Sequence, residues 1–82
     1  MGHVAVTDFS ASWCGPCKFI EPVIHAMAGK FDHVGFFKID VDELSVAPMP
    51  TFVLLKEGKE IDRVIGAKKE ELERKLKQHG GG

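Results

Sequence analysis

Cys14 and Cys17 stand three positions apart in Trp13-Cys14-Gly15-Pro16-Cys17, behind an apolar run that ends in Asp8 and ahead of an apolar pattern of helical period. A bridge between residues this close shuts a very short loop, so it removes little entropy from the unfolded chain and does little for stability. The pair is better suited to chemistry, because it can pass between dithiol and disulfide with little backbone movement. A strand running through Gly15-Pro16 into a helix sets Cys14 at the helix N-terminus: proline is tolerated in a first turn, and the first turn leaves N–H groups unpaired. Those N–H groups and the positive end of the helix dipole favour thiolate over thiol at Cys14 Sγ. Cys17, one turn further in, is expected to be shielded and less acidic. The asymmetry assigns Cys14 as the nucleophile toward a substrate disulfide and Cys17 as the thiol that resolves the mixed disulfide by attacking Cys14.

Elements that could hold the pair in this way are visible on both sides of it. Residues 4–9 are apolar and β-branched enough for a buried strand, and Phe19, Ile20, Val23, Ile24, Met27 and Ala28 recur at helical spacing until Gly29. Pro22 falls inside that helix and removes a backbone donor, which predicts a kink. Residues 34–41 read as a second strand, with Phe36, Phe37, Ile39 and Val41 placing apolar groups on both faces as in a central parallel strand. Residues 51–55 and 61–65 flank Glu57-Gly58 and read as a hairpin. Residues 68–79 carry Leu72 and Leu76 on one side and charges elsewhere, an amphipathic closing helix.

Five segments together carry a family resemblance: residues 8–18 around the thiol pair, Lys38-Ile39-Asp40-Val41-Asp42, Met49-Pro50-Thr51-Phe52, Lys56-Glu57-Gly58-Lys59 and Val64-Ile65-Gly66-Ala67. In this order, over residues 4–79, the chain resembles the thioredoxins, most closely the plant h type. Thioredoxin is itself the standard instance of an acidified Cys-x-x-Cys thiol. The resemblance implies an α/β fold of minimised thioredoxin-like form: a four-stranded mixed sheet in the order β-α-β-β-β-α with both helices on one face. Compared with the family pattern, a first strand and helix are absent, and residues 43–49 stand in place of a helix between the third and fourth family strands. The short connection still closes, since those strands lie two spacings apart, roughly 10 Å, and seven residues reach about 23 Å; Pro48 either stiffens it or displaces the loop that follows. The other face of the sheet is left uncovered, and strands apolar on both sides then expose more than the few hundred Å² a monomer tolerates. Self-association, a partner or marginal stability is the expected consequence. Residues 4–79 form one domain in this reading, with flexible ends at 1–3 and 80–82.

The resemblance also distributes roles. Asp8, costly to bury in an otherwise apolar strand unless it has a purpose, accepts the Cys17 proton by way of water, its pKa raised by desolvation. Met49-Pro50-Thr51 is the cis-proline loop that faces Cys14 and offers backbone groups to an extended substrate. Trp13 forms a rim that shields the thiolate, Gly15 and Pro16 belong to the substrate-facing turn, and Gly66-Ala67 forms a third wall where a missing side chain permits close approach. Lys18 reads as a solvated helix residue, and His3, His25, His33 and His79 are scattered without a motif.

Composition narrows the classes. The chain has 82 residues, 44% hydrophobic and 28% charged, with a net charge of −1, which suits one small globular domain and supplies no footprint for nucleic acid or an anionic membrane. No stretch approaches membrane-spanning length, and residues 1–7 lack a basic region followed by an apolar core. With both cysteines in the motif, a reducing compartment fits, the cytoplasm by default. The leading expectation is a protein thiol-disulfide oxidoreductase needing no metal or organic cofactor beyond its own Cys14–Cys17 couple. Its partners are disulfide-containing proteins and, by resemblance, a thioredoxin reductase, a flavoprotein using a nicotinamide donor. Two other readings stand beside it. One is a minimised or remnant scaffold with weak turnover; the other is a metal-binding module using the two thiolates, for which no second pair or histidine motif completes four ligands in one chain.

Overall fold

The strand that carries Asp8 is paired along both edges, and this makes it the centre of the sheet. In the computed structural model, which describes residues 3–41 and 49–80, that strand is β1 (Val4–Ser10), followed by α1 (Gly15–Lys30), β2 (Gly35–Asp40), β3 (Thr51–Lys56), β4 (Lys59–Ile65) and α2 (Lys69–Gly80). The sheet order is β2-β1-β3-β4. β1 pairs in parallel with β2, setting Asp8 opposite Lys38, and antiparallel with β3, setting Asp8 opposite Phe52. A parallel neighbour needs a crossover, which α1 supplies. β3 and β4 form the expected hairpin; Glu57 and Gly58 take φ of 54° and 78°, the positive values that two-residue hairpin turns demand.

The two helices share one face of the sheet. Ile20, Ile24 and Met27 of α1 and Leu72 and Leu76 of α2 pack with Val4, Val6, Phe52, Leu54 and Val64 in a single buried cluster. Each such side chain fully buried contributes about 1.5–3 kcal/mol of transfer free energy, so this cluster is what holds the helices down. Lys30 and Glu73 add an ion pair between the helices. The mixed four-stranded sheet with both helices on one side is the architecture expected from the chain's element order.

Two expectations change. The second strand is not central: β2 lies at the sheet edge with β1 its one partner among the described residues, and Phe37 and Ile39 are 60% and 46% exposed. An apolar run marks residues that favour burial, but strand order decides whether anything covers them. Phe19 is 78% exposed because it sits next to Ile20, about 100° around the helix from the core-facing row. α1 continues through Pro22, from Gly15 to Lys30. Asp42, residues 43–48 of the shortened connection and Pro48 lie outside the described residues.

On the face away from the helices, Thr7 and Phe9 of β1, Thr51, Val53 and Leu55 of β3 and Ile65 of β4 line a groove of about 450 Å³. Their register explains the grouping: Thr7 pairs with Val53, Phe9 with Thr51, and Thr51 with Ile65, and side chains at paired positions share a face. No described helix is long and apolar enough to cross a membrane.

Candidate active site

The turn between β1 and α1 places the cysteines. Cys14 N–H donates to Ala11 O at 3.1 Å, closing the turn, and Cys14 is the N-cap of α1 with φ −93° and ψ 107°. Cys17 N–H donates to Cys14 Sγ at 3.1 Å. The two sulfurs are joined as a disulfide, with Cα atoms 5.3 Å apart. Once the bond is reduced, the same N–H and the dipole of a sixteen-residue helix face Cys14 Sγ, and charge-assisted bonds of this kind favour the anion. Burial does not separate the cysteines, at 4% and 6% exposed; the N-cap hydrogen bond does. Pro16 sits in the first turn, where its lost donor costs nothing.

Met49 packs against Ala11, Cys14 and Cys17, which brings the loop before β3 to the disulfide. The Met49–Pro50 peptide is cis, Pro50 is buried, and its carbonyl accepts from Gly66 N–H at 2.8 Å. Gly66 adopts φ +97°, a conformation in which a Cβ is strained. A Cβ there would meet only Lys68 at ordinary contact distance, so backbone conformation, not a close neighbour, is what requires glycine. Ala67 and Trp13 are exposed, Trp13 directly before the capping cysteine.

Asp8 is 8% exposed, and its Oδ1 has no hydrogen-bond partner among the described residues. Burial pushes its carboxyl pKa up; Lys38 opposes that shift, and Glu21 and Asp40 add to it. Asp8 and Cys17 line separate, adjacent cavities, one of about 250 Å³ containing Asp8 and one of about 270 Å³ containing Cys17. Glu21 and Lys38 line both. Lys38 Nζ lies 3.1 Å from Glu21 Oε2 and 3.9 Å from Asp40 Oδ1, and Ser10 Oγ donates to Asp40 Oδ1 at 3.2 Å. Sequence reasoning passed over Glu21 and treated Lys38 and Asp40 only as parts of a motif. The signal was the strand register, which sets Lys38 opposite Asp8, and that is visible only once β1 and β2 are paired.

Lys18 lines the Cys17 cavity and His25 the Asp8 cavity, while two other histidines sit beside aspartates elsewhere. His79 Nε2 lies 3.1 Å from Asp62 Oδ2 and His33 Nδ1 lies 3.7 Å from Asp32 Oδ1. Among the described residues no group of three or more His, Cys, Asp or Glu is placed to hold a metal ion.

Comparison with known proteins agrees with this geometry. The family model described as Thioredoxin matches residues 2–78. The chain is 65% identical to "Thioredoxin H2" of Arabidopsis thaliana, the match covering 87% of this chain and 59% of that protein. It is 64% identical to "Thioredoxin H2-2" of Oryza sativa subsp. japonica, covering 87% and 58%. The crystal structure of thioredoxin NaTrxh from Nicotiana alata superposes with a TM-score of 0.91 at 56% identity, over 98% of this chain and 76% of that one. The chain therefore spans a little under three fifths of the length of these two plant relatives.

Proposed function

Because the chain belongs to the thioredoxin family, we propose that it is a protein thiol-disulfide oxidoreductase acting through Cys14-Gly15-Pro16-Cys17. The observation that carries this reading is the hydrogen bond from Cys17 N–H to Cys14 Sγ at the start of α1, which singles out one sulfur for activation. In the reduced form the Cys14 thiolate attacks one sulfur of a substrate disulfide, forming a mixed disulfide and releasing the first substrate thiolate, which takes up a proton. Cys17 then gives its proton to Asp8 through water and attacks Cys14 Sγ. The mixed disulfide breaks, the second substrate sulfur leaves as a thiolate and takes up the proton that Cys17 gave up, and two electrons have passed from the protein to the substrate, closing the Cys14–Cys17 bond. Asp8 suits this role because burial, with Oδ1 unpartnered among the described residues, makes its carboxylate a stronger base than an ordinary aspartate.

Substrate is held, in this reading, along Trp13, Gly15 and Pro16 on one side and Met49, Pro50 and Thr51 on the other, with Gly66 and Ala67 as the third wall. The Pro50–Gly66 hydrogen bond supports treating the last two as one rigid border. Reduction of the couple falls to a thioredoxin reductase, a flavoprotein drawing on a nicotinamide donor, and the cytoplasm is the compartment that keeps such a couple reduced. No further cofactor is required by the exchange.

A second reading, a scaffold of the same family with an intact site and slow turnover, is favoured by the open sheet face bearing Phe37, Ile39 and Ile65. On that reading a second copy of the chain covers the face, because two such surfaces bury one another's apolar side chains. Reduction of insulin disulfides with dithiothreitol as electron source, compared with Cys14→Ser, tests the chemistry; repeating it with a reductase and nicotinamide donor separates the two readings. Turnover that survives Cys14→Ser would overturn the assignment.

A further inference from the structure

Asp8 has an ammonium group directly across the strand pair, on Lys38, yet its Oδ1 is unpartnered among the described residues. The ammonium is engaged elsewhere. Lys38 Nζ lies 3.1 Å from Glu21 Oε2, on the helix turn after Cys17, and only 3.9 Å from Asp40 Oδ1, an oxygen already accepting from Ser10. Glu21 and Lys38 also form the wall shared by the cavities that hold Asp8 and Cys17. We infer that Glu21 is a positioning residue for disulfide exchange: by holding the Lys38 ammonium on the α1 side, it keeps Lys38 from pairing directly with Asp8 and leaves Asp8 as the base that serves Cys17. The inference rests on the role of Asp8 proposed above and deepens it.

Two magnitudes support the assignment. The Lys38 and Glu21 side chains are 45% and 44% exposed, and ion pairs at that exposure contribute about 0–1 kcal/mol to folding, so the pair matters little as a staple. An opposite charge brought within about 4–6 Å of a carboxyl group lowers its pKa by roughly 1–3 units, so where Lys38 points matters a great deal to Asp8. The charged and titratable groups around Asp8 are Lys38 and Asp40 from β2 and Glu21, His25 and Cys17 from α1, while β3 sets uncharged Phe52 opposite. Of these, Glu21 is the nearest anion to the Lys38 ammonium.

The test is a double-mutant cycle read on the oxidised protein by carbon NMR titration of the Asp8 carboxyl, which needs no turnover. Glu21→Gln is expected to move the Asp8 midpoint toward acid by about one unit, as Lys38 swings onto Asp8. In a Lys38→Met background the same substitution is expected to move it much less. In the reduced protein, Glu21→Gln is expected to slow mixed-disulfide resolution and leave the initial attack by Cys14 unchanged. Equal shifts in both backgrounds, or none, overturn the inference while insulin turnover of the parent leaves the oxidoreductase reading standing. Resolution that is insensitive to Asp8→Asn overturns both the role of Asp8 and the purpose assigned to Glu21. Thermal unfolding of Glu21→Gln that is undiminished at neutral pH accompanies the supporting result, since the half-exposed pair contributes little and a lower Asp8 pKa relieves part of its burial cost.

Discussion

The carbonyl of Pro50 accepts the N–H of Gly66 at 2.8 Å, tying the loop before β3 to the loop after β4 beside the disulfide. Gly66 meets this bond at φ +97°. Gly66→Ala places a Cβ in a disfavoured region, and a loss of about 1–2 kcal/mol of stability is expected, read from urea unfolding midpoints. The apparent KM for insulin should rise while the Cys14 alkylation rate stays as it was; an unchanged KM would separate this bond from substrate binding.

The N-cap position of Cys14 predicts unequal thiols. In the reduced protein, iodoacetamide should modify Cys14 at a pH where Cys17 is still unreactive, and mass mapping of partially labelled protein would locate the label. Cys17→Ser should accumulate a stable mixed disulfide with substrate, whereas Cys14→Ser should form none. Indistinguishable titration of the two thiols would remove the basis for the assigned order of attack.

Asp8 makes a stability prediction with a definite sign. Its folded-state pKa lies above the ordinary value of 3.8 because burial disfavours the carboxylate, so the folded protein binds the proton more tightly than the unfolded chain. Stability from this group is then fully present below the ordinary value and lost as pH rises through the folded-state pKa. Asp8→Asn should therefore raise the urea midpoint at pH 7, with the gain vanishing as pH falls below about 4, while mixed-disulfide resolution slows more than the initial attack. Loss of stability at neutral pH would mean that the carboxylate has a partner after all.

Asp62 has the opposite sign. Hydrogen bonds from Lys75 first, then His79 and the Arg63 backbone, hold its carboxyl well below the usual carboxylate range, and the Lys75 contact at 2.8 Å joins α2 to β4. A depressed pKa contributes stability that is present above the ordinary carboxylate value and lost as pH falls toward the folded one. Asp62→Asn should lower the thermal midpoint at neutral pH and cost progressively less in acid. A constant difference from pH 7 to pH 2 would contradict the linkage.

The open face predicts association. Phe37 and Ile39 on β2 are exposed, and the groove beside them is apolar on β1 and β3. Sedimentation equilibrium should show dimers whose population falls on Phe37→Lys, and a hydrophobic dye should bind the dissociated form. A monomer at all concentrations with no dye binding would leave this face without a partner of its own kind.

Local chemistry was legible in the residues themselves. Cys14, Gly15, Pro16 and Cys17 specify a helix start because proline's fixed φ suits a first helical turn and its missing donor is one the turn leaves unpaired. Ile20, Ile24, Leu72 and Leu76 announced their helix faces because burial follows helical period. Tertiary structure alone decided what depends on strand order and pairing. It sent Phe37 and Ile39 to an edge, since an apolar residue cannot specify which strand will lie beside it. It likewise set Lys38 across from Asp8 and then turned its charge to Glu21, because an ion pair's partner is chosen by distances between elements far apart along the chain.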